Sequence, residues 1–158
     1  MMRDELLSSY KDGAMDALKE KLRVFPSEGK QEMVTLSSIP FVSLCAHHMV
    51  PFFGEAHVGY IPQQSIIGLS KIPRVVDFFS HKLQVQERMT SEVADFLQEY
   101  LDPLAVIVYI EARHLCMEAR GVRKVGVVTR TSALRGKAHL EGVKQEFYTL
   151  ISTRGRVA

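Results

Sequence analysis

The chain has 158 residues, 46% of them hydrophobic and 24% charged, with a net charge of +2. That is one domain's worth of globular protein, too apolar and too weakly charged for global disorder. No apolar run nears the roughly 20 residues of a membrane-spanning helix, the first residues lack the apolar centre of an export signal, and two cysteines are too few for a disulfide scaffold.

In chain order, residues 3–23 are expected to form a helix, weakened at Gly13 and closed by Pro26 and Gly29. The β-branched run from Glu32 to Leu44 predicts one or two strands, interrupted at Pro40. Gly54 is expected to end a turn, and Glu55–Ile61 to form the next strand. Ser70 is placed to cap a helix with Pro73 in its first turn and Val75, Val76, Phe78 and Phe79 on its apolar face. Val93, Phe96, Leu97, Tyr100 and Leu101 follow helical spacing, with Thr90 and Ser91 as caps and Asp102-Pro103 as the stop. Leu104–Ile110 predicts a buried strand, Ala112–Ala119 and Val125–Ser132 two more, and Val143, Phe147, Leu150 and Ile151 the apolar face of a closing helix. This order is α+β with a mainly antiparallel sheet.

Charge is uneven along this order. Residues 1–30 are neutral, residues 31–112 carry −5 and residues 113–158 carry +7. A basic end suits phosphate, nucleic acid or an anionic small molecule, and equally a solvated face.

Three of the six histidines stand beside the two cysteines. In Cys45-Ala46-His47-His48 a thiol and an imidazole three residues apart can converge in a tight turn. In His114-Leu115-Cys116 an extended backbone points both side chains the same way. Thiolate with imidazole is the ligand set that zinc prefers, and a Cys₂His set leaves the fourth position open, as catalytic sites do. Against this stands the ordinary role of buried cysteine as a small core residue. His57, His81 and His139 are read as structural or solvent-facing.

The segments Ser43–Gly54 (SLCAHHMVPFFG), Gly68–Arg74 (GLSKIPR), Gln84–Met89 (QVQERM), Glu111–Lys124 (EARHLCMEARGVRK) and Thr129–Gly136 (TRTSALRG) occur in one order. In this the chain closely resembles the GTP cyclohydrolase I family over about three quarters of its length, from Glu32 to Ile151. The resemblance implies a tunnelling fold (T-fold): a mainly antiparallel sheet with helices on one face, assembled into a toroidal homodecamer with active sites at subunit interfaces. It implies residues 1–31 as a helical segment ahead of a catalytic domain at 32–158. It further implies zinc-dependent hydrolysis of GTP at guanine C8, with release of formate and rearrangement to 7,8-dihydroneopterin triphosphate. With both cysteines kept reduced as ligands, the expected compartment is the cytoplasm. No membrane partner is expected, and no nucleic-acid partner, since aromatic interleaving and a recognised binding motif are lacking.

Residue by residue, the resemblance places one Zn2+ per subunit on Cys45, His48 and Cys116. It makes His114 the proton-transferring histidine and His47 a second catalytic histidine near the ribose. Gln86 and Glu87 become the guanine-reading pair, Ser70 a ribose contact, and Lys71, Arg74 and Arg120 the triphosphate ligands. A carboxylate suits guanine, whose N1–H and N2–H₂ donors are adjacent, and arginine suits phosphate through its planar fork.

Two departures stand out. Ala46 occupies the position where the family usually has glutamate between the first ligand and the histidines, which bears on metal affinity and loop order. Residues 1–31 hold no counterpart of the family's Thr-Pro-x-Arg-Val stretch, whose basic residues help hold the triphosphate; the expectation is weaker GTP binding or a nucleotide with fewer phosphates. Two other readings fit the same residues: a divergent cyclohydrolase-like enzyme on another guanine nucleotide, and a non-catalytic guanine-nucleotide-binding ring subunit.

Overall fold

The structure is a computed structural model and describes residues 6–152. After a 3-10 turn at Ser8–Tyr10 come α1 (Ala14–Lys21), β1 (Val24–Pro26), β2 (Val34–Cys45), β3 (Pro51–Ile61), β4 (Ser65–Ile67), α2 (Lys71–Ser80) and β5 (Leu83–Gln84). The chain continues through α3 (Gln86–Leu101), β6 (Ala105–His114), the one-turn helix α4 (Leu115–Glu118), β7 (Thr129–Gly136), a 3-10 turn at Lys137–His139 and α5 (Glu141–Ser152). Five strands form one sheet in the order β5-β2-β3-β6-β7, and β1 pairs with β4 separately. All pairings are antiparallel except β2 with β5. The architecture is α+β, with no helix among the described residues long and apolar enough to cross a membrane.

Strand alternation explains the layers. In β6, Val106, Val108 and Ile110 point to one face and join Val58 and Tyr60 of β3. There they meet Val75, Val76 and Phe79 of α2 and Met89, Val93 and Leu97 of α3. Leu18 and Leu22 of the N-terminal segment belong to the same cluster. The alternate residues Ala105 and Ile107 point to the other face, where Phe147 of α5 covers them with Val143 and Ile151. Helices therefore lie on both faces, not on one as expected. Gly59 makes this contact possible, because a Cβ there would stand 2.6 Å from the Phe147 ring. Leu150, assigned to the same apolar face, is 45% exposed.

Several boundaries differ from the sequence expectation. The first helix does not run through Gly13, which adopts φ +70° and starts α1 instead; residues 3–5 of that expected helix lie outside the described residues. The irregularity in β2 falls between Leu36 and Ile39, with Ser38 at φ 55°, while Pro40 stays in the strand. Pro40 is tolerated because β5 pairs only with Leu44 and Cys45, so β2 is an edge at that point. Gly54 does not end a turn. It lies inside β3, so close to β6 that a Cβ would sit 1.9 Å from the Glu111 carbonyl oxygen. The strand expected at 112–119 divides: Ala112–His114 completes β6 and Leu115–Glu118 coils into α4. The last sheet strand starts at Thr129 rather than Val125.

Candidate functional site

The site lies at one end of the sheet, where three connections meet. The β2–β3 turn brings Cys45, His47 and His48. It is closed by hydrogen bonds from Met49 N–H to the Cys45 carbonyl (2.8 Å) and from Cys45 N–H to that of Val50 (2.9 Å). Met49 takes φ 54°, the left-handed step that reverses the chain. Parallel pairing of Cys45 with Gln84 lays the β5–α3 junction beside this turn. The end of β6, paired at His114 with Phe52, supplies His114, and α4 then turns Cys116 back toward Cys45.

These side chains surround a cleft of about 220 Å³ lined by Cys45, His47, His48, Gln84, Val85, Gln86, Glu87, His114, Cys116, Met117 and Thr129. One ligand atom each from Cys45, His48 and Cys116 lies within 4.8 Å of the others. Cys45 Sγ stands 3.7 Å from His48 Nδ1. A tetrahedral ion with metal–sulfur and metal–nitrogen bonds of about 2.3 and 2.0 Å needs roughly 3.5 Å between those atoms. Both cysteines are free thiols. Burial, with Cys45 next to it, pushes the Cys116 thiol up from its ordinary value, and Arg120 opposes this. Such a thiol is poorly ionised alone and is ionised by a bound cation. The chemistry and spacing of the donors fit a thiophilic divalent ion.

His114 sits beside this cluster, half-buried, its ring stacked flat on Phe52 with centroids 4.7 Å apart. Its Nε2 is 2.7 Å from Gln86 Oε1. Burial holds the imidazole below its ordinary value, with Glu87 pulling the other way. Glu87, exposed at the head of α3, is the one carboxylate among the described residues that line the cleft. His47 is exposed at the rim, its ring edge-on to that of His48 at 6.1 Å. Gln86 is different: its side chain is 1% exposed and turned into the protein, donating to main-chain oxygens of Ile110 and Thr129.

Not every expected residue joins the cleft. Ser70 and Lys71 begin α2, whose last residue accepts a hydrogen bond at its carbonyl from Ser43 Oγ near the β2–β3 turn (2.6 Å). Ten residues of helix put about 15 Å between these ends. Ser70 holds the N-cap position but makes no capping hydrogen bond through its side chain. Arg74 lines a separate cavity of about 400 Å³ with Lys11, Lys21 and His81, between α1 and α2. Arg120 is exposed, close enough to Cys116 to act on it electrostatically.

Other neighbours had no distinct sequence signal. Gln84 is fully buried and anchors the junction: its amide donates to the Phe79 carbonyl (2.8 Å) and to Glu92 (2.7 Å), and accepts from Arg88 (2.9 Å). Glu118 holds α4 by a two-pronged pair with Arg113 at 2.8 and 2.7 Å and accepts from Gly126 N–H. A second grouping, Glu55, His57 and Glu111, lies on the opposite sheet face. There Arg130 binds Glu111 at 3.2 Å, and His57 Nδ1 accepts from Ser38 N–H at 3.3 Å, which fits the structural reading of His57.

Comparison with known proteins identifies the family. The family model described as GTP cyclohydrolase I matches residues 1–152. GTP cyclohydrolase 1 of Parabacteroides distasonis is 52% identical over 128 residues, covering 81% of this chain and 65% of its own length. That of Campylobacter jejuni strain RM1221 is 46% identical over 153 residues, covering 96% of this chain and 79% of its own. The chain thus spans just under two thirds of the first of these relatives. Among solved structures, the apo archaeosine synthase QueF-Like is similar in fold, with a TM-score of 0.55 and 18% identity over 66% of this chain and 93% of that one. With the cysteine–histidine cluster, the acidic head of α3 and the profile match all in the same chain, the protein belongs to the GTP cyclohydrolase I family.

Proposed function

We propose that this chain hydrolyses GTP at guanine C8, releases formate and yields 7,8-dihydroneopterin triphosphate. The observation that carries the reading is the convergence of Cys45, His48 and Cys116 with His114 and Glu87 in one cleft. Cys45, His48 and Cys116 would hold one Zn2+, which when bound supplies a water of lowered pKa for the hydrolysis. Two thiol ligands fit a reducing compartment, the cytoplasm.

The residues divide the remaining work. Glu87 accepts from guanine N1–H and N2–H₂, fixing the ring edge. Gln86 contributes through its main-chain N–H in the first turn of α3, where such groups lack helical partners, since its amide is spent inside the protein. His114 moves protons during ring opening and rearrangement, a task suited to an imidazole held in a partly dry site. His47 at the rim serves the ribose end. Ser70, Lys71 and Arg74 complete the ribose and triphosphate grip from a neighbouring subunit of a toroidal homodecamer on the T-fold, with Arg120 extending the positive field. Their separation from the cleft within one chain supports that assignment.

The test is incubation of the purified chain with GTP, GDP, GMP and guanosine, following formate and the fluorescent pteridine. Expected are about one zinc per chain, formate release from GTP, its loss on chelation and its return with zinc. A zinc-loaded chain that releases no formate from any of the four overturns the reading, whereas preference for GDP or GMP redirects it to a less phosphorylated nucleotide.

A further inference from the structure

The orientation of one buried amide decides which nitrogen of His114 is free for chemistry. Gln86 Nε2 lies 3.1 Å from the carbonyl oxygens of both Ile110 and Thr129, and 3.1 Å from Thr131 Oγ1. Carbonyl oxygens only accept, so the atom facing them is the amide nitrogen. The atom 2.7 Å from His114 Nε2 is then Gln86 Oε1, which has no hydrogen to offer. His114 Nε2 must donate.

The surrounding hydroxyls agree. Thr90 Oγ1 gives its single hydrogen to the Gln86 main-chain carbonyl at 2.7 Å. The 2.7 Å contact between Thr90 and Thr131 must therefore be donated by Thr131, whose lone pair is left for Gln86 Nε2. Each hydroxyl hydrogen is used once and no two donors face each other. The flat stack of His114 on Phe52 opposes a turn of the ring about Cβ–Cγ.

We propose that His114 exchanges protons with substrate only through Nδ1, its Nε2 hydrogen being held permanently by Gln86, which Thr90 and Thr131 orient. Gln86 is thus a positioning residue, acting through His114. The ring takes a proton on the Nδ1 lone pair and returns it from the same atom, and the Nε2–H bond is neither made nor broken. The role in catalysis rests on the reading of His114 given above; the location of the hydrogen does not.

Neutron diffraction from the zinc-loaded, deuterated chain tests the location directly. Deuterium on His114 Nε2 and two deuterons on Gln86 Nε2 are expected; a bare Nε2 overturns the proposal even if the enzyme is fully active on GTP. The kinetic arm is Gln86→Leu, which keeps the main-chain N–H. A fall in kcat of about tenfold or more, with KM for GTP within about threefold, is expected for a histidine freed to take the wrong tautomer. Unchanged kcat, or a change in KM alone, overturns the positioning role. Should Gln86→Leu fail to fold, the wild-type neutron map still decides. A chain inactive on every guanine nucleotide would sink the cyclohydrolase reading and leave that map to judge this one.

Discussion

Buried polar atoms carry much of the information at the residue scale. The two glutamines of QVQER illustrate it: Gln84 and Gln86 are almost fully buried, and each satisfies its amide within the protein. A buried amide left unpaired costs about 1–3 kcal/mol, so these bonds specify the β5–α3 junction as well as stabilise it. Tyr60 is a simpler case on the same terms. It is 1% exposed, and its hydroxyl accepts from Ile67 N–H at 3.3 Å. Burial raises its pKa above the ordinary value, with the Ile67 bond opposing. The unfolded chain releases that proton near pH 10, while the folded chain retains it to higher pH. The native state thus binds more protons in that window, and stability falls as pH rises through it. Tyr60→Phe is expected to cost about 1–3 kcal/mol near neutrality, by stranding the Ile67 N–H, and to show a shallower loss above pH ~10. Urea unfolding of both proteins on either side of that pH checks this; parallel alkaline slopes would contradict it.

Elements place the site by converging on one end of the sheet, and Gly54 controls how closely two of them approach. The β3–β6 pair carries Phe52 against His114 only two residues from the point where a Cβ at Gly54 would collide with the Glu111 carbonyl. Gly54→Ala must force those strands apart. The expected loss is about 3 kcal/mol, the upper end for overpacking, with weakened retention of the proposed zinc because Cys116 lies two residues beyond the end of β6. Denaturant unfolding and metal analysis measure both; a stable variant with full zinc would show that the strands give way freely. Gly54 could be seen in the sequence as a turn signal, yet its reason is contact with a strand 57 residues away. The helical turn α4 makes a similar point. Strand alternation anticipated that His114 and Cys116 share a side, and they do line one cleft, but Cys116 arrives there from a helical turn pinned by Glu118 and Arg113.

At the scale of the whole molecule, one chain gathers the candidate metal-binding group and the Glu87 carboxylate at one end, with Ser70 and Lys71 at the far end of α2. The proposed ring assembly would unite them if one subunit's α2 faces the next subunit's cleft. Arg74→Ala and Cys116→Ser chains, each inactive alone, are then expected to regain activity when co-expressed. Random mixing in a symmetric ring rebuilds up to about a quarter of the sites with both residues intact. Formate release by co-purified, differently tagged chains reads this out. Mixed rings with no more activity than either parent would confine those residues to their own subunit's chemistry, or remove them from it.

The grouping of candidate ligands was legible in the chain because it depends on residue type and short spacing. Cys45 and His48 lie three residues apart in a turn, and His114 and Cys116 two apart at a strand end. The helical periodicity of α2, α3 and α5 was legible for the same reason, since each spacing is local. What remained hidden depended on partners far away along the chain. The inward turn of the Gln86 amide needs Ile110 and Thr129 as acceptors, 24 and 43 residues distant. The start of α3 at Gln86 rather than near Thr90 follows from that anchoring, and the position of α5 on the second face follows from the gap at Gly59. Residue type and local period identify the groups that can do chemistry; long-range packing fixes which way each one points, because only there do hydrogen-bond donors meet their acceptors and side chains meet the space that receives them.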